Sequence, residues 1–127
     1  SIDAVLAMKT WAVVGLGNNP ERAAFGVAKL LQDKGHRIIP VYPRAETVHG
    51  EVGYKTLSEI PGSVDVVDCF VNSTLVGKVV DEAIAIGAKA VWLQLDVIDN
   101  DAIARAQAAG LVTVMDRCPA IEYRKKS

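Results

Sequence analysis

The chain has 127 residues, half of them hydrophobic, with 14 basic against 15 acidic side chains. That length predicts one domain with a full core, spanning residues 1–127. The balanced charge argues against nucleic acid and membrane surface as partners, and no apolar run approaches the roughly 20 residues that cross a bilayer. Residues 1–9 lack the charged-then-apolar order of a secretory signal. Two cysteines, Cys69 and Cys118, make no disulfide framework, so a reducing cytoplasm is the expected location.

In chain order, residues 2–8 are amphipathic and predict a short leading helix. Residues 10–14 are apolar and rich in β-branched side chains, as expected of a strand covered on both faces. A helix follows, with Ala24, Val27, Ala28 and Leu31 on one face. Its start is ambiguous: Asn19-Pro20 suits an N-cap and first turn, yet the apolar stripe begins only near Ala24. The later start leaves residues 15–23 as a loop able to wrap a phosphate, with Arg22 in it. Residues 37–41 predict a second strand. Pro40 lies inside it and removes a ladder donor, which places that strand at an edge or a bulge.

Residues 45–62 are irregular, with a small extra strand at 52–54 and a single helical turn at 57–60. Strands are expected at 64–71, 90–95 and 111–115. Between them, Leu75, Val76, Val79, Val80, Ala83 and Ile84 form one helical stripe, and Ala102, Ile103, Ala106 and Ala109 another. Ser73 or Thr74, and Asp99 or Asn100, suit the N-caps. Gly35, Gly87 and Gly110 stand where helices should stop, since glycine takes the left-handed C-cap without steric cost. Asp65 and Asp68 read as solvated strand-start residues, Cys69 as core, Trp92 as sheet-face packing, His36 and His49 as surface groups, and Arg124-Lys125-Lys126 as a solvated end. The order predicts an α/β, Rossmann-like, doubly wound sheet of five or six mainly parallel strands, with helices on both faces and the first strand interior.

Ligands of such sheets bind beyond the carboxyl ends of the strands, where the strand order reverses. Gly15-Leu16-Gly17-Asn18 leads from the first strand towards a helix, a turn whose N–H groups can meet a phosphate. A dinucleotide fingerprint would carry a third glycine where Pro20 stands. After the second strand an NAD site wants an acidic residue, and the chain offers Tyr42-Pro43-Arg44. Arg44 instead suits an additional ribose phosphate, as in NADP or coenzyme A. Asn72, Ser73 and Gln94 complete the candidate rim. Cys118, beyond the last strand, is either a buried structural thiol or one that pairs with a ligand thiol as a mixed disulfide. No cysteine, histidine and carboxylate cluster has metal-ligand spacing, and no nucleophile–base arrangement supports an enzyme.

The sequence resembles the stand-alone CoA-binding domain family, itself similar to the N-terminal domain of the succinyl-CoA synthetase α-subunit. The resemblance rests on Ala12-Val13-Val14-Gly15, Asn19-Pro20-Glu21-Arg22, Gly35-His36-Arg37-Ile38-Ile39-Pro40-Val41, Pro43, Val64-Asp65-Val66-Val67-Asp68, Ile86-Gly87-Ala88-Lys89-Ala90-Val91-Trp92-Leu93-Gln94 and Met115-Asp116-Arg117-Cys118. It implies a non-catalytic CoA-binding protein, holding CoA or an acyl-CoA. Gly15 to Asn18 with Arg22 would meet the diphosphate, Pro43 and Arg44 would lie by the adenosine 3′-phosphate end, and Asn72 and Ser73 would line the cleft between the first and third strands. From the residues alone, Tyr42 with Pro43 suits the adenine and Gln94 a polar rim contact. The alternatives are an NADP-binding domain, or a protein-interaction scaffold with weakened nucleotide binding. A homodimer and a complex with a protein partner stay open. The chain departs from the family pattern at Gly17, where serine is usual, Tyr42 for asparagine, Val71 for arginine and Asp96 for glycine; Asp96 adds negative charge on the expected rim.

Overall fold

The computed structural model describes residues 1–126. Five strands, β1 (Thr10–Val14), β2 (Arg37–Val41), β3 (Val66–Cys69), β4 (Ala90–Leu93) and β5 (Val112–Val114), pair in parallel in the order β2-β1-β3-β4-β5. The helices are α1 (Ile2–Leu6), α2 (Ala23–Asp33), α3 (Ser73–Ala85), α4 (Asn100–Ala108) and α5 (Pro119–Lys126). This is the expected Rossmann-like α/β sheet, with five strands. The sixth reduces to isolated bridges, Tyr54 with Val41 and Val48 with Glu51, and the turn after it is a 3-10 helix at Leu57–Glu59.

Alternation along each strand builds two cores. Ala12, Val14, Ile39, Val41, Val67, Cys69, Val91 and Leu93 face α3 and α4, joined by Val76, Val80, Ala83, Ala102 and Ala106. Trp11, Val13, Ile38, Val66 and Trp92 face α1, α2 and α5, joined by Val5, Ala24, Val27, Ala28 and Leu31. The two indoles lie 5.6 Å apart and each finds an acceptor, Trp11 at Met8 O and Trp92 at Arg117 O.

Several local expectations need correction. The helix after β1 takes the later start, with Arg22 as its N-cap. The N-cap of α3 is Asn72, whose Oδ1 accepts from Thr74 N, rather than Ser73 or Thr74; Asp99 caps α4 as expected. Arg124-Lys125-Lys126 is solvated as expected, and forms the last turn of α5. Ile121 and Tyr123 of that helix pack on the Trp11 side of the sheet. The cations at its C-terminal end complement the helix dipole.

His36 is buried rather than superficial. Its Nδ1 donates to Met8 O, its Nε2 faces the Tyr123 hydroxyl, and that hydroxyl donates to Leu6 O. One imidazole thereby ties α1, the start of β2 and α5 together. Burial holds it below the ordinary histidine value of 6.5, against a smaller opposing effect from the Met8 contact. The unfolded ring then binds its proton more readily than the folded one. Stability is therefore complete above 6.5 and falls as pH drops through the folded value. Thermal melts between about pH 8 and pH 5 should show this loss in the native protein, and His36→Gln should flatten it.

Asp68 is the larger departure. It sits in the middle of β3, 0% exposed, and neither carboxylate oxygen has a hydrogen-bond partner. Desolvation pushes its carboxyl well above the usual range, so the neutral acid is the state the fold accommodates. The thiol of Cys69 is likewise pushed up, by burial and then by the Asp68 charge. Because the folded chain keeps a proton that the unfolded chain gives up, the Asp68 contribution to stability declines as pH rises above 3.8. Asp68→Asn should therefore stabilise the fold at neutral pH, because the amide needs no proton to enter the core. The gain should shrink as pH falls and vanish well below 3.8, where the folded and the unfolded chain are both protonated at Asp68. Denaturant titrations of both proteins across this range check it; parallel pH profiles would contradict it.

Candidate functional site

The strand order reverses between β1 and β3, and the chain leaving β1 passes close to both neighbours. Gly15 N–H donates to Val41 O at 2.8 Å. Its φ is +101°, and a Cβ there would stand 2.4 Å from Phe70 O. No other residue type fits this crossing, whether or not a ligand is present.

Three cavities open along the same edge, and all three include Gly15 and Arg22. The glycine-turn cavity, about 380 Å³, adds Gly17, Asn18, Asn19, Tyr42, Arg44 and Glu46. A cavity of about 430 Å³ on the α3 side adds Tyr42, Pro43, Lys55, Phe70 and Lys78. A third, about 390 Å³, reaches Ala24, Phe70, Gln94, Val97 and Cys118. Arg22 and Arg44 are exposed and form no ion pair with any described carboxylate. As N-cap of the eleven-residue α2, Arg22 makes no side-chain capping bond, so the positive end of that helix meets the cavities without a protein anion at the N-cap.

Of the proposed ligand residues, Gly15, Gly17, Asn18, Arg22, Tyr42, Pro43, Arg44, Asn72 and Gln94 line these cavities. Two do not. Leu16 turns inward and is fully buried in the Trp11-side core: strand alternation would place it with Ala12 and Val14 on the other face, and the positive φ of Gly15 breaks that alternation. Ser73 is used within the protein: its hydroxyl donates to Asp96 O and accepts from Ile98 N, which ties α3 to the β4–α4 loop.

The four departures from the family pattern now have places. Asp96 is exposed and lines none of the three cavities. Its φ of +67° explains why glycine is usual there, and its N–H is held by Asp116 Oδ1 at 2.8 Å. Val71 lines the second and third cavities. Gly17 and Tyr42 belong together. A Cβ on Gly17 would stand 3.3 Å from the Tyr42 ring and 2.7 Å from Glu46 Oε1, so the usual serine would require the flexible Glu46 carboxylate to swing away and the ring to give slightly.

Glu46 was not foreseen, and it alters the electrostatics. Its Oε1 accepts from Asn18 N at 3.0 Å, so a carboxylate already occupies a turn N–H that an anion would use. Asn18 Nδ2 reinforces the contact by donating to Thr47 O. The loop carrying Glu46 is well anchored. Val48 is fully buried, Gln32 donates to His49 O, and His49 Nε2 donates to Phe25 O. Gly53 lies so close that a Cβ would be 2.1 Å from Glu46 O. Lys55 and Lys78 were also missed. All three lie outside the strand-end segments, and only the folding of residues 45–54 back over the edge brings Glu46 and Lys55 to it.

The sequence profile of the CoA binding domain matches residues 9–124, nearly the whole chain. The chain belongs to the CoA-binding domain family. Among relatives of this family, the uncharacterized protein YneT of Bacillus subtilis is 34% identical over 110 residues, covering 87% of this chain and 82% of that protein. The alpha subunit of an ADP-forming acetate–CoA ligase II from Pyrococcus furiosus is 36% identical over 81 residues, 63% of this chain but only 18% of the subunit. A solved structure of a hypothetical protein from Pyrococcus horikoshii superposes with a TM-score of 0.93 at 38% identity, over 98% of this chain and 88% of that one. The CoA-binding fold is thus matched along its length, and Glu46 is the local feature that needs its own test. Glu46→Gln removes a negative charge beside Arg22 and Arg44. It should raise affinity for inorganic diphosphate about fivefold, near 1 kcal/mol, in a calorimetric titration; unchanged affinity would show that the carboxylate does not compete.

Proposed function

We propose that this chain is a non-catalytic binder of coenzyme A or an acyl-CoA, held at the carboxyl edge of the sheet. The observation that carries the reading is the pair Arg22 and Arg44, two guanidinium groups without ion pairs on one cavity around a glycine turn. Charged partners of this kind suit a ligand with several phosphates. In this reading Gly15, Gly17, Asn18 and Arg22 meet the diphosphate. Tyr42, Pro43 and Arg44 take the adenosine and its 3′-phosphate, and Asn72 and Gln94 guide the remaining arm. Membership of the CoA-binding family supports it, as does the resemblance to a subunit named for CoA ligation. A binding rather than catalytic role is supported by the histidines: His36 and His49 both direct ring nitrogens to protein partners and line none of the three cavities.

Arg44 would equally suit the 2′-phosphate of NADP, so the discriminating experiment is calorimetry with CoA, dephospho-CoA, NADP and NAD. CoA should bind most tightly. Arg44→Ala should weaken CoA about tenfold, the loss of one charge-assisted contact, and leave dephospho-CoA nearly unchanged. Preference for NADP would install that reading instead, and no heat with millimolar CoA would defeat this one.

A further inference from the structure

The third cavity holds two groups that the core does not use. Gln94 is only 6% exposed, yet its Oε1 has no hydrogen-bond partner, and a buried acceptor of this kind wants a donor. Cys118, 8% exposed and free of any disulfide, lines the same cavity. Its backbone position is well determined: the preceding Arg117 donates its N–H to Leu93 O and accepts Trp92 Nε1, and α5 begins at Pro119. The cavity walls at Ala24, Phe70 and Val97 are apolar. Gly15 and Arg22 belong both to this cavity and to the glycine-turn cavity. A ligand anchored through its diphosphate at the turn can therefore extend its other end towards Gln94 and Cys118.

We infer that Cys118 is a thiol–disulfide exchange site for the sulfur-terminated arm of the ligand, an inference that rests on the coenzyme A reading. Gln94 Oε1 has no accessible surface, and a turn of its amide towards the cavity would let it accept from the amide N–H groups that the arm of CoA carries before its thiol. The co-reactant is the symmetrical disulfide of the ligand. The Cys118 thiolate attacks one of its sulfurs, the ligand S–S bond breaks, and a Cys118–S–S–ligand bond forms. The other half leaves as a thiolate and takes up a proton equivalent to the one Cys118 released. One disulfide and one thiol are consumed and one of each is produced, so the step needs no further oxidant. The chain would then hold its ligand covalently when disulfides accumulate and release it to any reducing thiol. Cys69 offers no such site, since it is fully buried on the opposite face of β3 and lines none of the three cavities.

The experiment incubates the native protein with CoA disulfide or with glutathione disulfide at equal concentration, and follows adducts by intact and peptide mass spectrometry. Binding of reduced CoA is measured in parallel by calorimetry. A single adduct on Cys118 is expected, reversed by dithiothreitol and absent in Cys118→Ser. It should form at least about ten times faster with CoA disulfide than with glutathione disulfide, because anchoring makes the attack effectively intramolecular. Arg22→Ala should slow the CoA reaction several times more than the glutathione reaction. No adduct, equal rates with the two disulfides, or an adduct on Cys69 would overturn the inference. If reduced CoA still binds in those cases, the exchange site alone falls; if it does not, the binding reading falls as well.

Discussion

The end of β1 threads between the ends of β2 and β3 with no room for a side chain. Gly15 donates to Val41 on one side and lies against the Phe70 carbonyl on the other. A methyl group there would force β1 and β3 apart at the point where the strand order reverses, and with them the walls of all three cavities, which share this residue. The turn that follows brings Arg22 to the same place and delays α2 until Ala23. A constraint of backbone packing thus creates the opening, and its phosphate-like chemistry is a consequence. Glycine here is required by the neighbouring strand, with or without a ligand.

The fold was legible because its signals are local and repeated. Apolar runs mark β1 and β2 to the residue, Gly35, Gly87 and Gly110 mark the helix ends, and all three adopt positive φ. Pro40 correctly pointed to an edge strand. What was illegible depends on long-range closure. Asp68 alternates with Val66 on the face that α2 and α5 cover, and an aspartate after three valines carries no local sign of complete burial. The helix α5 is only weakly amphipathic and finds its place through Tyr123 meeting His36. At the site, residues on the strand ends were recoverable from topology. Glu46 was not, because its contact with Asn18 joins positions 28 residues apart through an irregular loop.

That contact also shows how departures from a family pattern can be coupled. Glycine at 17 and tyrosine at 42 look like two independent losses of polar groups. In the folded chain they are neighbours, and a serine side chain at 17 would displace the Glu46 carboxylate and press on the Tyr42 ring. The cavity that results carries Arg22 and Arg44 with one carboxylate among them. The sign of the charge in this cavity is thereby set partly by one loop, the one that carries Glu46, and not by the sheet alone.

Pro40 has a consequence for how copies of this chain can meet. In a strand, the N–H and C=O of one residue point to the same side. The Pro40 carbonyl accepts from Tyr54 N on the outer side of β2, where Tyr42 N also donates to Tyr54 O. The missing proline donor therefore falls on the sheet's outer border, where no ladder exists to be broken, and Tyr54 masks the neighbouring groups. The opposite border is β5, only three residues long. Neither margin presents the long row of bare amides that an incoming strand needs. At the β2 border Pro40 and Tyr54 together leave an incoming strand few bare amides to pair with.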